Sequence, residues 1–215
     1  SLFTVLRRPR FLWTALGGSW GGAAIFAFIS GSPGLLMGSY GFGEAEYGWT
    51  FAAFSLVLAA ASQANFPLLR RFSQAAIMRG ALAVMCAASL AVTLCCGILG
   101  LPGAAAMLAL ILACLAPVPL VAANSAALAM NECGRHAGSA SSMLGVMQFA
   151  AAGAVSSGLG PAARLVDMPL AFMIFLASAA ALGCLAIGAR AGGRGSAGGS
   201  GSARPASGGD GAGQG

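Results

Sequence analysis

From Gly80 to Asn131 the chain carries no charged side chain. The hydrocarbon core of a bilayer is crossed by about 20 helical residues, so this run is too long for one crossing. Two helices joined by a tight turn at Gly100, Leu101, Pro102 and Gly103 are the economical solution. The remainder has the same character. Of 215 residues, 58% are hydrophobic and 7% charged, with a mean hydropathy of +0.85, whereas a soluble domain is about a quarter charged. Cutting the chain where charges or Gly/Pro turns interrupt the apolar runs predicts six membrane spans, at residues 11–37, 47–69, 80–97, 104–130, 137–160 and 168–189. The fold class expected is an all-α membrane protein, with a flank at 1–10, a six-helix bundle at 11–190 and a disordered Gly/Ser/Ala-rich tail at 191–215.

The basic residues orient these spans. All eleven are arginine, and with six crossings every one except Arg164 falls on one side, with Arg7, Arg8, Arg10, Arg70, Arg71, Arg79, Arg135, Arg190, Arg194 and Arg204. Cytoplasmic loops accumulate arginine and lysine, so both ends are expected in the cytoplasm, and Glu44, Glu46 and Asp167 outside. The net charge of +6 does not indicate nucleic acid, because the arginines sit at the ends of apolar runs rather than clustered on one face. Six cysteines follow neither a metal nor a disulfide spacing and read as small apolar filler. The amino end lacks the short apolar region and small-residue cleavage site of a signal peptide. The first residue is Ser1 rather than Met, so the expectation is a chain that begins partway through a longer product.

Within the spans a few positions stand out. The first carries Gly17, Gly18, Gly21 and Gly22, small residues that let helices approach closely, and then Pro33, which removes a backbone donor near the outer end. The fourth carries Pro117 and Pro119, followed one turn later by Asn124 and Ser125. A polar side chain at such depth faces the bundle interior, where it either bonds a neighbouring helix or lines a wet pathway. The fifth presents Gly138, Ser142, Gly145 and Phe149 at helical spacing, beside Gln148 and Gly153. No span contains a carboxylate, so an intramembrane proton carrier is not evident. The single histidine, His136, lies at a span border, a poor position for a serine–histidine protease site within the membrane. With no P-loop, dinucleotide fingerprint or paired metal ligands, no enzyme and no metal site are expected.

Four stretches, "FISGSPGLLMGSYGFGEAEYGWTF" (28–51), "SQANFPLLRRF" (62–72), "AANSAALAM" (122–130) and "HAGSASSMLGVMQF" (136–149), resemble the carboxy-terminal half of the Bcr/CflA branch of multidrug efflux transporters, within the major facilitator superfamily. The resemblance runs from about Phe11 to Gly160 and implies helices seven to twelve of a twelve-helix fold in the bacterial inner membrane. It implies a drug/proton antiporter that needs no cofactor beyond the proton gradient, with an amino-terminal six-helix half as partner and small drug-like molecules as substrates. The family's proton-coupling carboxylate and main gating motif belong to that other half. Where the branch usually has proline and asparagine together, this chain has Ala123 and Asn124, which leaves the bend to Pro117 and Pro119. The expected pathway residues are Trp20, Phe28, Ser32, Tyr40, Asn124, Ser125, Ser142, Gln148 and Phe149; the bending residues Pro33, Pro117 and Pro119; and the cytoplasmic gating loop Asn65, Arg70, Arg71 and Arg79. Two other classes stay open: a non-transporting truncated or six-helix membrane protein, and a half-transporter working as a homodimer.

Overall fold

The computed structural model describes residues 9–133, 137–166 and 168–197, with side chains described in those stretches except at 9–10, 132–133, 137 and 191–197. Six stretches are long and apolar enough to cross a bilayer: Phe11–Ser39, Glu44–Leu69, Gln74–Leu99, Ala104–Asn131, Gly138–Ala162 and Pro169–Arg190. The chain is a multi-pass all-α membrane protein. Helix α1 (Pro9–Pro33) continues into a π-helical turn, Gly34–Ser39. The second span is α2 (Glu44–Gln63) with the short α3 (Asn65–Leu69), and the third is α4 (Gln74–Leu99). The fourth consists of α5 (Ala104–Leu115) and α6 (Val118–Cys133), the fifth is α7 (Ala137–Ala162), and the sixth is α8 (Pro169–Ala197).

The expected spans appear in order, and their ends move for local reasons. Helix α2 starts at Glu44 because the Glu46 carboxylate accepts from the Gly43 N–H at 3.0 Å. Two acids in that first turn also suit the positive end of the helix dipole. Helix α4 starts at Gln74 because Ser73 caps it, accepting from the Ala76 N–H at 3.3 Å. Arg79 therefore sits on α4, and Asn65 opens α3, so neither belongs to the loop assigned to them from the sequence. The turn at Gly100 is as expected: its φ of 79° lies in the left-handed region that favours glycine, and its N–H donates to the Cys96 carbonyl at 3.0 Å. Helix α8 runs to Ala197, so the tail expected from 191 begins as helix; 198–215, the flank 1–8, His136, Arg135 and Asp167 lie outside the described residues.

Each bending proline leaves a distinct mark. Pro33 cannot donate to the Ile29 carbonyl, and the chain beyond it widens, with the Tyr40 N–H reaching the Leu35 carbonyl at 3.1 Å. Pro117 ends α5: the Ala116 N–H still reaches the Leu112 carbonyl at 2.8 Å, and α6 restarts with Leu120 and Val121 donating to the Pro117 carbonyl. Pro119 occupies the first turn of α6, where its missing N–H has no intrahelical role.

Helix α1 is the hub, packed on α6, α7 and α8, while α4 packs on α6 and α8. Its double-glycine pairs explain this position. A Cβ on Gly17 would lie 3.2 Å from the Ala181 carbonyl oxygen of α8, and one on Gly18 would overlap Ser125 of α6. On Gly21 it would lie 2.7 Å from Leu82 of α4 and 2.8 Å from Val121 of α6, and on Gly22, 3.3 Å from Gln148 of α7. Four neighbours are thus brought against one backbone. Bilayer lipid is as apolar as leucine, so such close van der Waals fit is what holds membrane helices together. The surrounding core is filled by Leu82, Met85, Met107, Ile111, Leu115, Val121 and Ile174. The most apolar stretch of α1 is 56% buried; that of α2 is 6% and of α7 17%, so these two helices leave most of their surface unpartnered among the described residues.

Candidate functional site

The expected pathway residues occupy three separate places. At the end of the bundle holding Gly100, Phe28 of α1 is buried between two rings of α2, stacked on Phe54 with centroids 4.8 Å apart and on Phe51 at 5.7 Å. Beside them Ser32, fully buried, shares a 3.0 Å hydrogen bond with the Tyr47 hydroxyl. Tyr40 donates to the Pro102 carbonyl at 2.7 Å, tying the α1–α2 loop to the α4–α5 turn. Burial pushes the Tyr40 phenol above its usual value, with the Cys96 thiol adding to the effect, which keeps the donor protonated. Phe28, Ser32 and Tyr40 therefore join elements within this chain.

The second place is the seam of α1, α2/α3, α6 and α7. Asn124, 1% exposed, donates through Nδ2 to Asn65 Oδ1 at 2.7 Å and to the Leu120 carbonyl at 2.8 Å. Ser125, also buried, donates to the Ala122 carbonyl at 3.1 Å and presses on the bare backbone of Gly18. Asn124 thus takes the first of its two open roles, bonding a neighbouring helix. Gln148 is half-buried and packs by its amide on Gly22. Phe149, 70% exposed, meets Phe26 edge-on at 6.1 Å, and Ser142 lies exposed on α7, its hydroxyl returned to the Gly138 carbonyl at 3.1 Å. Of the nine residues, Ser142 and Phe149 are those that α7 leaves exposed, while Gln148 is half-buried against α1.

Trp20 stands apart, half-buried in a groove of about 220 Å³ along the α1–α7 seam with Leu16, Met147 and Ala150. Its neighbour Ser19 is unusual. Ser89, Ser125 and Ser178 give their protons to carbonyls of their own helices, but Ser19 Oγ is buried with no hydrogen-bond partner among the described residues. A buried unmatched polar group costs about 1–3 kcal/mol. Ser19→Ala is accordingly expected to raise the melting temperature in detergent, by about 2–4 °C per kcal/mol for a chain of this size; a fall would show that the hydroxyl is engaged.

In the expected gating segment Arg70 lies over the Phe66 ring at 4.8 Å, a cation–π contact, and Arg79 Nε donates to the Ala75 carbonyl at 3.1 Å. Among the described residues no three His, Cys, Asp or Glu side chains converge to hold a metal ion. Sequence reasoning missed the partners: Asn65 for Asn124, Tyr47 for Ser32, and Ser30, which donates to Ser156 at 3.0 Å across α1 and α7. The only signal was their presence as polar groups within apolar spans. No protein-family model, curated protein or solved structure matches the chain.

Proposed function

We propose that the chain is the carboxy-terminal half of an exporter of the Bcr/CflA type in a bacterial inner membrane, with both chain ends cytoplasmic, moving drugs and other small amphipathic molecules outward by proton antiport. The observation that carries this reading is the Asn65–Asn124 contact, because two of the stretches on which the resemblance rests, 62–72 and 122–130, meet there at 2.7 Å. The open flanks of α2 and α7 support it: an amino-terminal six-helix half laid against them would enclose Ser142, Gln148 and Phe149 in a midplane cavity. Such a cavity, mostly apolar with sparse hydrogen-bonding groups, suits many amphipathic compounds.

The test is export of a fluorescent cationic dye by an efflux-deficient bacterium expressing the complete reading frame, with and without a protonophore. Protonophore-sensitive efflux is expected. Gln148→Ala, at equal membrane expression, is expected to reduce it about fivefold, the worth of one hydrogen bond of about 1 kcal/mol. Absence of efflux from the unaltered protein would overturn the reading and leave a non-transporting membrane protein.

A further inference from the structure

The break at Pro117 opens a groove of about 450 Å³ between the second, third and fourth spans. It is lined by Leu68 and Phe72, by Ile77, Gly80 and Val84 of α4, and by Pro117. Every lining residue is apolar, so the groove suits a hydrocarbon chain rather than a polar solute. The segment that supplies most of its lining is also the most basic part of the described chain. Arg70 and Arg71 immediately precede Phe72, and Arg79 immediately precedes Gly80; all three are exposed, and no acidic residue occurs between Tyr47 and Asn131. Arginines at the end of an apolar span lie at headgroup depth. The segment that lines the groove therefore carries three positive charges beside its lining residues, and no charged residue lines the groove itself.

We propose that this groove binds an anionic phospholipid, with an acyl chain along Leu68, Ile77 and Val84 and the phosphate among Arg70, Arg71 and Arg79. Basic pockets between spans bind acidic headgroups in this way, each arginine near an anionic surface contributing roughly 1 kcal/mol, about fivefold in affinity. A zwitterionic lipid supplies the same chain but no net charge to match the arginines. Because Pro117 lies in the groove, the lipid chain packs against the break in the fourth span, so occupancy and the angle between α5 and α6 are linked. The groove at the opposite end of the bundle, about 410 Å³ and lined by Gly31, Leu35 and Leu101 among others, provides an internal comparison. Among the described residues the nearby charges there are one arginine, Arg164, and the two acids of the α2 first turn. This site does not depend on the export reading.

Native mass spectrometry of the complete gene product, titrated in detergent with phosphatidylglycerol or phosphatidylcholine of the same chains, tests the proposal. Phosphatidylglycerol is expected to bind at least tenfold more tightly. Replacing Arg70, Arg71 and Arg79 together by glutamine should weaken it on the order of 100-fold, from roughly fivefold per charge, and leave phosphatidylcholine unchanged. Gly80 lines the groove and a Cβ there meets nothing within 4 Å, so Gly80→Leu adds its side chain from an open position and should weaken both lipids. Arg164→Gln should alter neither. Equal binding of the two lipids, or unchanged phosphatidylglycerol binding in the triple variant, would overturn the headgroup assignment; unchanged binding in Gly80→Leu would overturn the groove.

Discussion

Gly18→Leu is expected to yield no monodisperse protein in detergent, and Gly18→Ala a protein melting well below the wild type. A Cβ at position 18 would overlap both Cβ and Oγ of Ser125, a side chain that is itself buried and attached to the rigid α6. No rotation of a distant group relieves that overlap; α1 and α6 must move apart, and α1 is the helix on which α6, α7 and α8 all pack. Inserting even one methyl into such a contact typically costs about 1–3 kcal/mol. The sign is informative, because alanine is otherwise a better helix former than glycine by up to about 1 kcal/mol. Gly145→Ala and Gly153→Ala on α7 serve as controls, since a Cβ at either position meets nothing within 4 Å. They should match or exceed the wild-type melting temperature. If Gly18→Ala did so too, α1 and α6 would not be in backbone contact at this point.

The number of spans, their order and the turn at Gly100 were legible in the sequence because each follows from the length of hydrocarbon a helix must cross. The rotation of each helix was not. In a soluble protein the polar face marks the outside, but in a bilayer both the lipid face and the packed face are apolar, so hydrophobic period carries little information. Hence the sequence marks Phe28 and Ser32 as candidate pathway residues without revealing that they pack on Phe51, Phe54 and Tyr47 of the next helix. Trp20 lines a groove with Met147 and Ala150, whereas Phe149 meets Phe26. The glycine pairs of α1 announced close packing, yet only the structure assigns Gly17, Gly18, Gly21 and Gly22 to α8, α6, α4 with α6, and α7 in turn. Helix starts were displaced by caps at Gly43 and Ser73, which local chemistry explains but apolar runs do not reveal.

Asn124→Leu is expected to destabilise the bundle by about 1–2 kcal/mol, and a double-mutant cycle with Asn65→Leu identifies the cause. Hydrogen bonds between membrane helices average about 0.6 kcal/mol and reach about 1.7 kcal/mol. Removing Asn124 adds the cost of leaving the half-buried Asn65 Oδ1 without its donor. Asn65→Leu in turn strands part of the Asn124 amide, although that group retains the Leu120 carbonyl at 2.8 Å. The second loss should therefore be the smaller. With both asparagines replaced by leucine neither polar group is left over, so the double variant should be more stable than the sum of the single losses predicts, by about 1 kcal/mol. Ser62→Ala, whose hydroxyl is bound to the Ala59 carbonyl of its own helix, should show no such coupling to Asn124→Leu. Additive losses at 65 and 124 would mean that α3 and α6 are held by packing alone. Coupling near 1 kcal/mol would make this pair the polar fastening between the broken end of the second span and the helix that restarts after Pro117.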